Sequence, residues 1–343
     1  MADGEQKNRQ NMPRPSTDLI GTSPLHSDLT REEIAELAAG LEIRRFADGE
    51  VLMIQGAAPD GVYFIVSGKV SIAARLPGGG ENVVAECGPG HLIGEMALLT
   101  HGGKRTATAR AVGAVDALFT DRRYFEAALN LLKPASLKVL RRLGLILARR
   151  LHEIRGRHCR LVDEAPMSDL FRTLPAGEPC RVSSFDVRAF LPILPFFREF
   201  RADEIDVMFA AARVEDVVRG TILAIEGETS GICRLVVRGA LLLGQRRGES
   251  LHQHDILGPG RFAGISAIVA DVPGDIALIA IEDTTLLAFD AARFAALWMG
   301  QDRLALRLLE AMNAELVLSL ATAINHLNRL TARANALDFP ETK

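Results

Sequence analysis

The chain repeats itself, and a repeated sequence has to fold as repeated units. Thr30–Ile72 set over Arg201–Leu243 without a gap, at an offset of 171, aligns Glu33 with Glu204, Ile34 with Ile205, Ala39 with Ala210 and Leu52 with Leu223. It also aligns Gly49, Gly56 and Gly68 with Gly220, Gly227 and Gly239. Further on the offset becomes 170, and Gly88-Pro89-Gly90 falls on Gly258-Pro259-Gly260, Gly94 on Gly264, Ala97 on Ala267 and Phe119 on Phe289. Glycines at matched turn positions imply matched backbones, because glycine reaches positive φ and close approaches that other residues do not. A length of 343 residues, at about 150 per domain, fits two such units.

Both copies have the same internal order. A short amphipathic helix opens the first, with Ile34, Leu37 and Leu41 on one face and capping candidates over Ser27–Glu33. Short apolar runs such as Val62–Val66 and Val70–Ile72 follow, separated by glycine turns including Gly78-Gly79-Gly80. Many short strands at regular spacing predict a β-barrel or jelly roll. A long helical stretch ends each copy, at about Ala135–Val162 and about Gln301–Ala336.

Composition narrows the class. A 48% hydrophobic fraction with 24% charged residues fits a folded soluble protein, and the net charge of −3 gives no excess of cations for a polyanion partner. Residues 1–18 are polar, carry Pro13 and Pro15 and lack an apolar core, so they are expected to be a flexible tail and not a signal peptide; a cytoplasmic location follows. Cys87, Cys159, Cys180 and Cys233 are widely spaced and are expected to be reduced thiols. His252 and His254 have no third ligand nearby and are expected in a solvated loop, with no metal site. No nucleophile, base and orienting group occur in a catalytic spacing, so no enzyme is expected.

Gly90-His91-Leu92-Ile93-Gly94-Glu95-Met96-Ala97-Leu98-Leu99, followed by Arg105-Thr106-Ala107-Thr108, is the segment that carries chemistry. Gly94 lets backbone approach a ligand, and a helical turn starting at Glu95 points N–H groups at an anion. Arg105 can return across a hairpin to clamp that anion with two donors. Glu95 would repel a phosphate, but its carboxylate accepts well from a sugar hydroxyl. A phosphate beside a ribose hydroxyl is a nucleotide. An ion pair between Glu95 and Arg105 on the surface is the plainer alternative.

This arrangement resembles the phosphate-binding cassette of the cyclic nucleotide-binding domain family, which includes catabolite-activator-type regulators, protein kinase A regulatory subunits and cyclic-nucleotide-gated channels. The resemblance covers about Leu19–Leu161, and more loosely Leu191–Leu330. It implies a mainly β protein with helices: two tandem β-jelly-roll (double-stranded β-helix) domains, each followed by a long α-helix. It further implies cAMP or cGMP as ligand, with Glu95 on the ribose 2′-OH and Arg105 on the cyclic phosphate. The backbone of Gly94, Met96 and Ala97 joins them, and Thr106 adds a hydroxyl near phosphate and base. Ala148–Leu151 resembles the part of the helix that closes over the ligand, which brings Arg150 toward the pocket.

The second cassette is altered. Ile265 stands where Glu95 stands and Asp275 where Arg105 stands, so the ribose acceptor is lost and the phosphate clamp changes sign. Loss of a buried charge partner costs on the order of 2–5 kcal/mol, and this copy is expected to fold without binding a nucleotide. Arg261 and Arg293 are the cations that could compensate.

The C-terminal helix shows a seven-residue repeat, with Leu306, Asn313, Leu320 and Leu327 at one position and Leu309, Leu316, Ala323 and Leu330 at the other. One polar residue in such a seam favours a dimer; packing on its own barrel is the alternative. Arg141, Arg142, Arg149, Arg150, Arg155, Arg157 and Arg160 line the first long helix and are expected to be a solvated face. A catabolite-activator-like transcription factor continues into a helix-turn-helix, which is not recognised here, so nucleic acid is not the expected partner.

The expected organisation is a tail over 1–18, a ligand-binding domain with its helix over 19–162, a linker over 163–184, a degenerate domain over 185–300 and a dimerisation helix over 301–337. The expected function is that of a cyclic-nucleotide receptor signalling to a protein partner. A ligand-independent dimeric scaffold and a DNA-binding regulator are the rival readings.

Overall fold

A computed structural model of the chain describes residues 29–76, 79–99, 103–161, 186–228, 231–247, 250–274 and 276–337. The expected tail (1–18) and linker (163–184) lie outside the described residues. Two compact units emerge, residues 1–143 and 144–343. Their division falls inside a helix, where the sequence places it after residue 162.

The first unit opens with α1 (Arg31–Ala38). Thr30 Oγ1 accepts from the Glu33 N–H at 3.2 Å while Glu33 Oε2 accepts from the Thr30 N–H at 2.7 Å, a reciprocal cap that satisfies two otherwise orphaned donors. The helix ends earlier than its apolar spacing predicts, and Leu41, expected on its face, begins β1 (Leu41–Phe46). Then come β2 (Val51–Met53), β3 (Gly61–Arg75), β4 (Glu81–Cys87), β5 (Leu92–Ile93), α2 (Glu95–Leu98), β6 (Thr108–Asp121), α3 (Arg122–Asn130) and α4 (Pro134–Leu161).

β3 and β6 pair antiparallel along nearly their whole length, from Gly61 opposite Asp121 to Ala73 opposite Thr108. Register shifts around Ser67 divide the pair into two halves. One half carries β5 and β1 at its edges; the other carries β4 and β2. Tyr63, Ile65, Ile93 and Phe119 from the first half meet Leu52, Val70, Cys87 and Ala109 from the second in one core. This is a jelly roll, and closure removes most of the free sheet edge.

The second unit contains the later part of α4, then α5 (Val187–Phe190), α6 (Ala202–Ala211), β7 (Arg213–Val217), β8 (Ile222–Ala224), β9 (Ile232–Arg238), β10 (Leu241–Arg247) and β11 (Ser250–Leu257). β12 (Phe262–Ala263), α7 (Ile265–Ala270), β13 (Ala277–Ala280), β14 (Thr284–Asp290), α8 (Ala291–Trp298) and α9 (Arg303–Leu337) complete it. Its two sheets run β12-β9-β14-β7 and β11-β10-β13-β8. That is the order of the first unit, with β3 split into β9 and β10 and β6 into β13 and β14.

The heptad seam of α9 is used inside the chain. Leu306, Leu309, Asn313, Leu316, Leu320, Ala323 and Leu327 are all buried. A Cβ on Gly144 would stand 2.6 Å from Asn313 Oδ1, so the glycine lets α4 approach α9 closely. The face read as a dimer seam is therefore covered by the protein's own second unit, because periodicity reports an apolar face and not what lies against it. Two smaller expectations also change. Arg155 is buried, and His254 is buried in β11 with its ring 4.5 Å from that of His158, not in a solvated loop.

Candidate functional site

β5 pairs with β3 through Ile93 opposite Tyr63 and delivers the chain to Gly94, whose φ of 89° belongs to the left-handed region. The turn of α2 follows directly. The chain comes back pinned by backbone bonds between Arg105 and the β2 turn: Arg105 N–H to Ala57 O at 2.9 Å, and Gly56 N–H to Arg105 O at 2.8 Å. The Arg105 side chain then lies under the cassette, its Nη1 donating to Gly94 O at 3.0 Å and its Nη2 to Gly61 O at 2.7 Å and Asp60 Oδ1 at 2.6 Å.

Thr106 Oγ1 reaches Met96 Sδ at 3.5 Å. The structure thus brings Gly94, Glu95, Met96 and Ala97 into one turn, with Arg105 and Thr106 against it. Glu95 is 1% exposed and Arg105 3%, which excludes an ion pair on the surface. A guanidinium has five N–H donors, and three of those on Arg105 are engaged. Among the described residues the other two have no partner.

Three residues of this site are ones that sequence reasoning missed. Asp60 holds Arg105 and lies 3.6 Å from Arg44 Nη1. Arg44 donates to the Tyr63 hydroxyl at 3.0 Å, and its Cζ stands 3.3 Å from the centroid of the Phe119 ring. Burial, reinforced by the Asp60 charge, pushes the Tyr63 hydroxyl above its ordinary pKa despite the opposing pull of Arg44. The signal was present in the repeat: Asp60, Arg44 and Tyr63 align with Gly231, Glu215 and Arg234.

In the second unit the backbone of the cassette survives. Gly264 has φ 87° and α7 starts at Ile265, whose side chain is buried. Asp275, at the position of Arg105, lies outside the described residues. Both cations considered as substitutes have carboxylate partners, Arg261 in a half-buried network and Arg293 on the surface. Arg261 Nε donates to both Glu315 carboxylate oxygens at 2.8 and 3.0 Å and its Nη2 to Asp255 at 3.2 Å, while Arg293 pairs with Asp290. Burial lifts Glu315 to a pKa of about 7 even against the attraction of Arg261. Arg234, in the place of Tyr63, donates to Glu215 at 2.9 Å, and Glu215 also accepts from Arg213 at 2.8 Å. These two arginines hold Glu215 below the usual carboxylate range, outweighing its burial.

Among the described residues no group of three or more His, Cys, Asp or Glu side chains could hold a metal ion, and no helix is long and apolar enough to cross a membrane.

Residues 43–131, all within the first unit, match the family model described as the cyclic nucleotide-binding domain. The chain is 35% identical over 131 residues to the Cyclic AMP receptor protein of Thermus thermophilus, covering 38% of this chain and 58% of that protein. It is 32% identical over 113 residues to the cAMP-dependent protein kinase type II regulatory subunit of Drosophila melanogaster, covering 33% of this chain and 30% of that protein. A solved structure of the regulatory domain of Toxoplasma gondii PKA with cAMP is 20% identical and covers 83% of this chain and 90% of its own, with a TM-score of 0.30. The chain spans well under two thirds of the length of both curated relatives, 58% and 30%.

Proposed function

We propose that the first unit is a receptor for a 3′,5′-cyclic nucleotide and that the second is a barrel of the same fold that has lost this ligand. The observation that carries the reading is the buried Arg105, held under Gly94 with two donors left over and with the buried carboxylate of Glu95 on the same turn. Arg105 takes the cyclic phosphate, Glu95 accepts from the ribose 2′-OH, and the backbone of Gly94, Met96 and Ala97 closes round both. Thr106, exposed beside Met96, reaches toward phosphate and base.

Of the two nucleotides, cAMP is favoured, supported by the names of the curated relatives. Ligand binding is read out by a protein partner. A homodimer through the α9 seam is not part of this reading, since all the seam residues but Leu330 are buried within one chain. The second unit lacks the acceptor at Ile265, and Asp275 carries the wrong charge for a phosphate.

Calorimetric titration of the full chain with cAMP and with cGMP tests the proposal. One site per chain is expected, and Arg105→Glu should weaken it by at least about a hundredfold, the loss typical of a buried charge partner. Binding that survives Arg105→Glu, or two equal sites, would refute it and leave a ligand-independent scaffold.

A further inference from the structure

We infer that Arg44 is a positioning residue of the anion site: through Asp60 it sets how Arg105 is held and how much of its charge remains for a ligand. The inference rests on the cyclic-nucleotide reading of the first unit. Asp60 is more than half exposed, so its carboxylate has little of its own to fix it. Two guanidiniums flank it, Arg105 at 2.6 Å and Arg44 at 3.6 Å.

Arg44, unlike Asp60, is fixed from several sides. Its guanidinium lies on the Phe119 ring with Cζ 3.3 Å from the centroid, donates to the Tyr63 hydroxyl at 3.0 Å and pairs with Glu42 at 3.6 Å. Stacking on an aromatic face combined with directional N–H bonds suits a planar guanidinium and not an ammonium. Arg44 therefore forms a rigid second anchor for the carboxylate. An Asp60 shared between two cations neutralises Arg105 less than an Asp60 devoted to it, and the difference is available to an incoming phosphate.

The repeat separates this role from a merely structural one. The second barrel has the same strand order and keeps an aromatic at Phe289, the counterpart of Phe119. Yet all five charged or hydroxyl-bearing positions change together: Glu42 to Arg213, Arg44 to Glu215, Asp60 to Gly231, Tyr63 to Arg234 and Arg105 to Asp275. A barrel of this order closes without the Arg44–Asp60 arrangement. The arrangement goes with Arg105, and Arg105 is the residue assigned to the ligand.

A double-mutant cycle on the full chain tests this, with cAMP affinity read by calorimetry and stability by thermal unfolding. Arg44→Met is expected to weaken cAMP about tenfold, within the coupling expected of neighbours in one charge network. Arg44→Lys should weaken it nearly as much, because the ammonium keeps the charge but not the planar contacts. Tyr63→Phe removes one anchor of Arg44 and should cause a smaller loss, about threefold; it supplies the cycle if Arg44→Met does not fold. In an Asp60→Asn background each of these substitutions should leave affinity unchanged. Losses that persist there would show Arg44 acting through space or through the barrel and would overturn the inference alone. Absence of cAMP binding by the wild-type chain would overturn the underlying reading and the inference with it.

Discussion

Gly94 makes room for Arg105: a Cβ on Gly94 would stand 2.4 Å from Arg105 Nη1. The same glycine needs φ 89°, a conformation costing other residues roughly 1–2 kcal/mol. Gly94→Ala is thus expected to lower the unfolding free energy by about that amount and to displace the Arg105 side chain from Gly94 O. Cyclic-nucleotide affinity should fall by tenfold or more on the order expected when a charged hydrogen bond is lost. Urea unfolding and calorimetry on the same preparation separate the two effects. Undiminished affinity would mean that Arg105 does not need its seat beneath Gly94.

Glu95 is assigned to a single hydroxyl, so its removal and the removal of that hydroxyl should be equivalent. Glu95→Ala is expected to weaken cAMP by roughly ten- to a hundredfold, the range for a hydrogen bond to a charged group. The 2′-deoxy analogue should bind the wild type about as poorly, and should lose nothing further on Glu95→Ala. A deoxy analogue that binds like cAMP would remove Glu95 from the ribose.

That the six residues proposed to bind the ligand come together in space was legible because they are local in sequence. Gly94–Ala97 and Arg105-Thr106 lie within thirteen positions of sequence, and the turn that joins them is written in their glycines and charges. The long helices were legible from periodicity, and they end within a residue or two of where it places them. Arg44, Asp60 and Tyr63 were not, because only the pairing of β1 and β3 with β6 brings them to Arg105. The α9 seam is a different case: an apolar stripe demands a partner without naming one, and seven of its eight residues are already buried within the chain. Leu41 was misplaced at a helix end, where Gly40 turns the chain beside the Tyr124 ring.

That seam makes its own test. Leu320 is wholly buried in α9, so Leu320→Ala should destabilise the second unit by about 2–5 kcal/mol, as for other buried leucines. Sedimentation of the folded variant should match the wild type. A variant that keeps its stability but changes its oligomeric state would restore the seam as an interface between chains.

Glu315 gives the protein a pH dependence of defined sign. Its carboxyl accepts from Arg261 at 2.8 and 3.0 Å, yet burial raises its pKa from 4.5 to about 7 in the fold. Between these values the native state binds more protons at this residue than the unfolded chain, and stability falls as pH rises wherever that is so. The contribution is therefore complete below pH 4.5 and is lost as pH rises through about 7. A shift of this size corresponds to about 3 kcal/mol, at 1.36 kcal/mol per unit. The glutamine variant, Glu315→Gln, keeps an acceptor for Arg261 and cannot titrate. Denaturant unfolding at pH 5 and pH 8 should show the wild type losing more stability than Glu315→Gln across that interval. Parallel losses in the two proteins would mean that Glu315 stays ionised in the fold and that its pair with Arg261 outweighs burial.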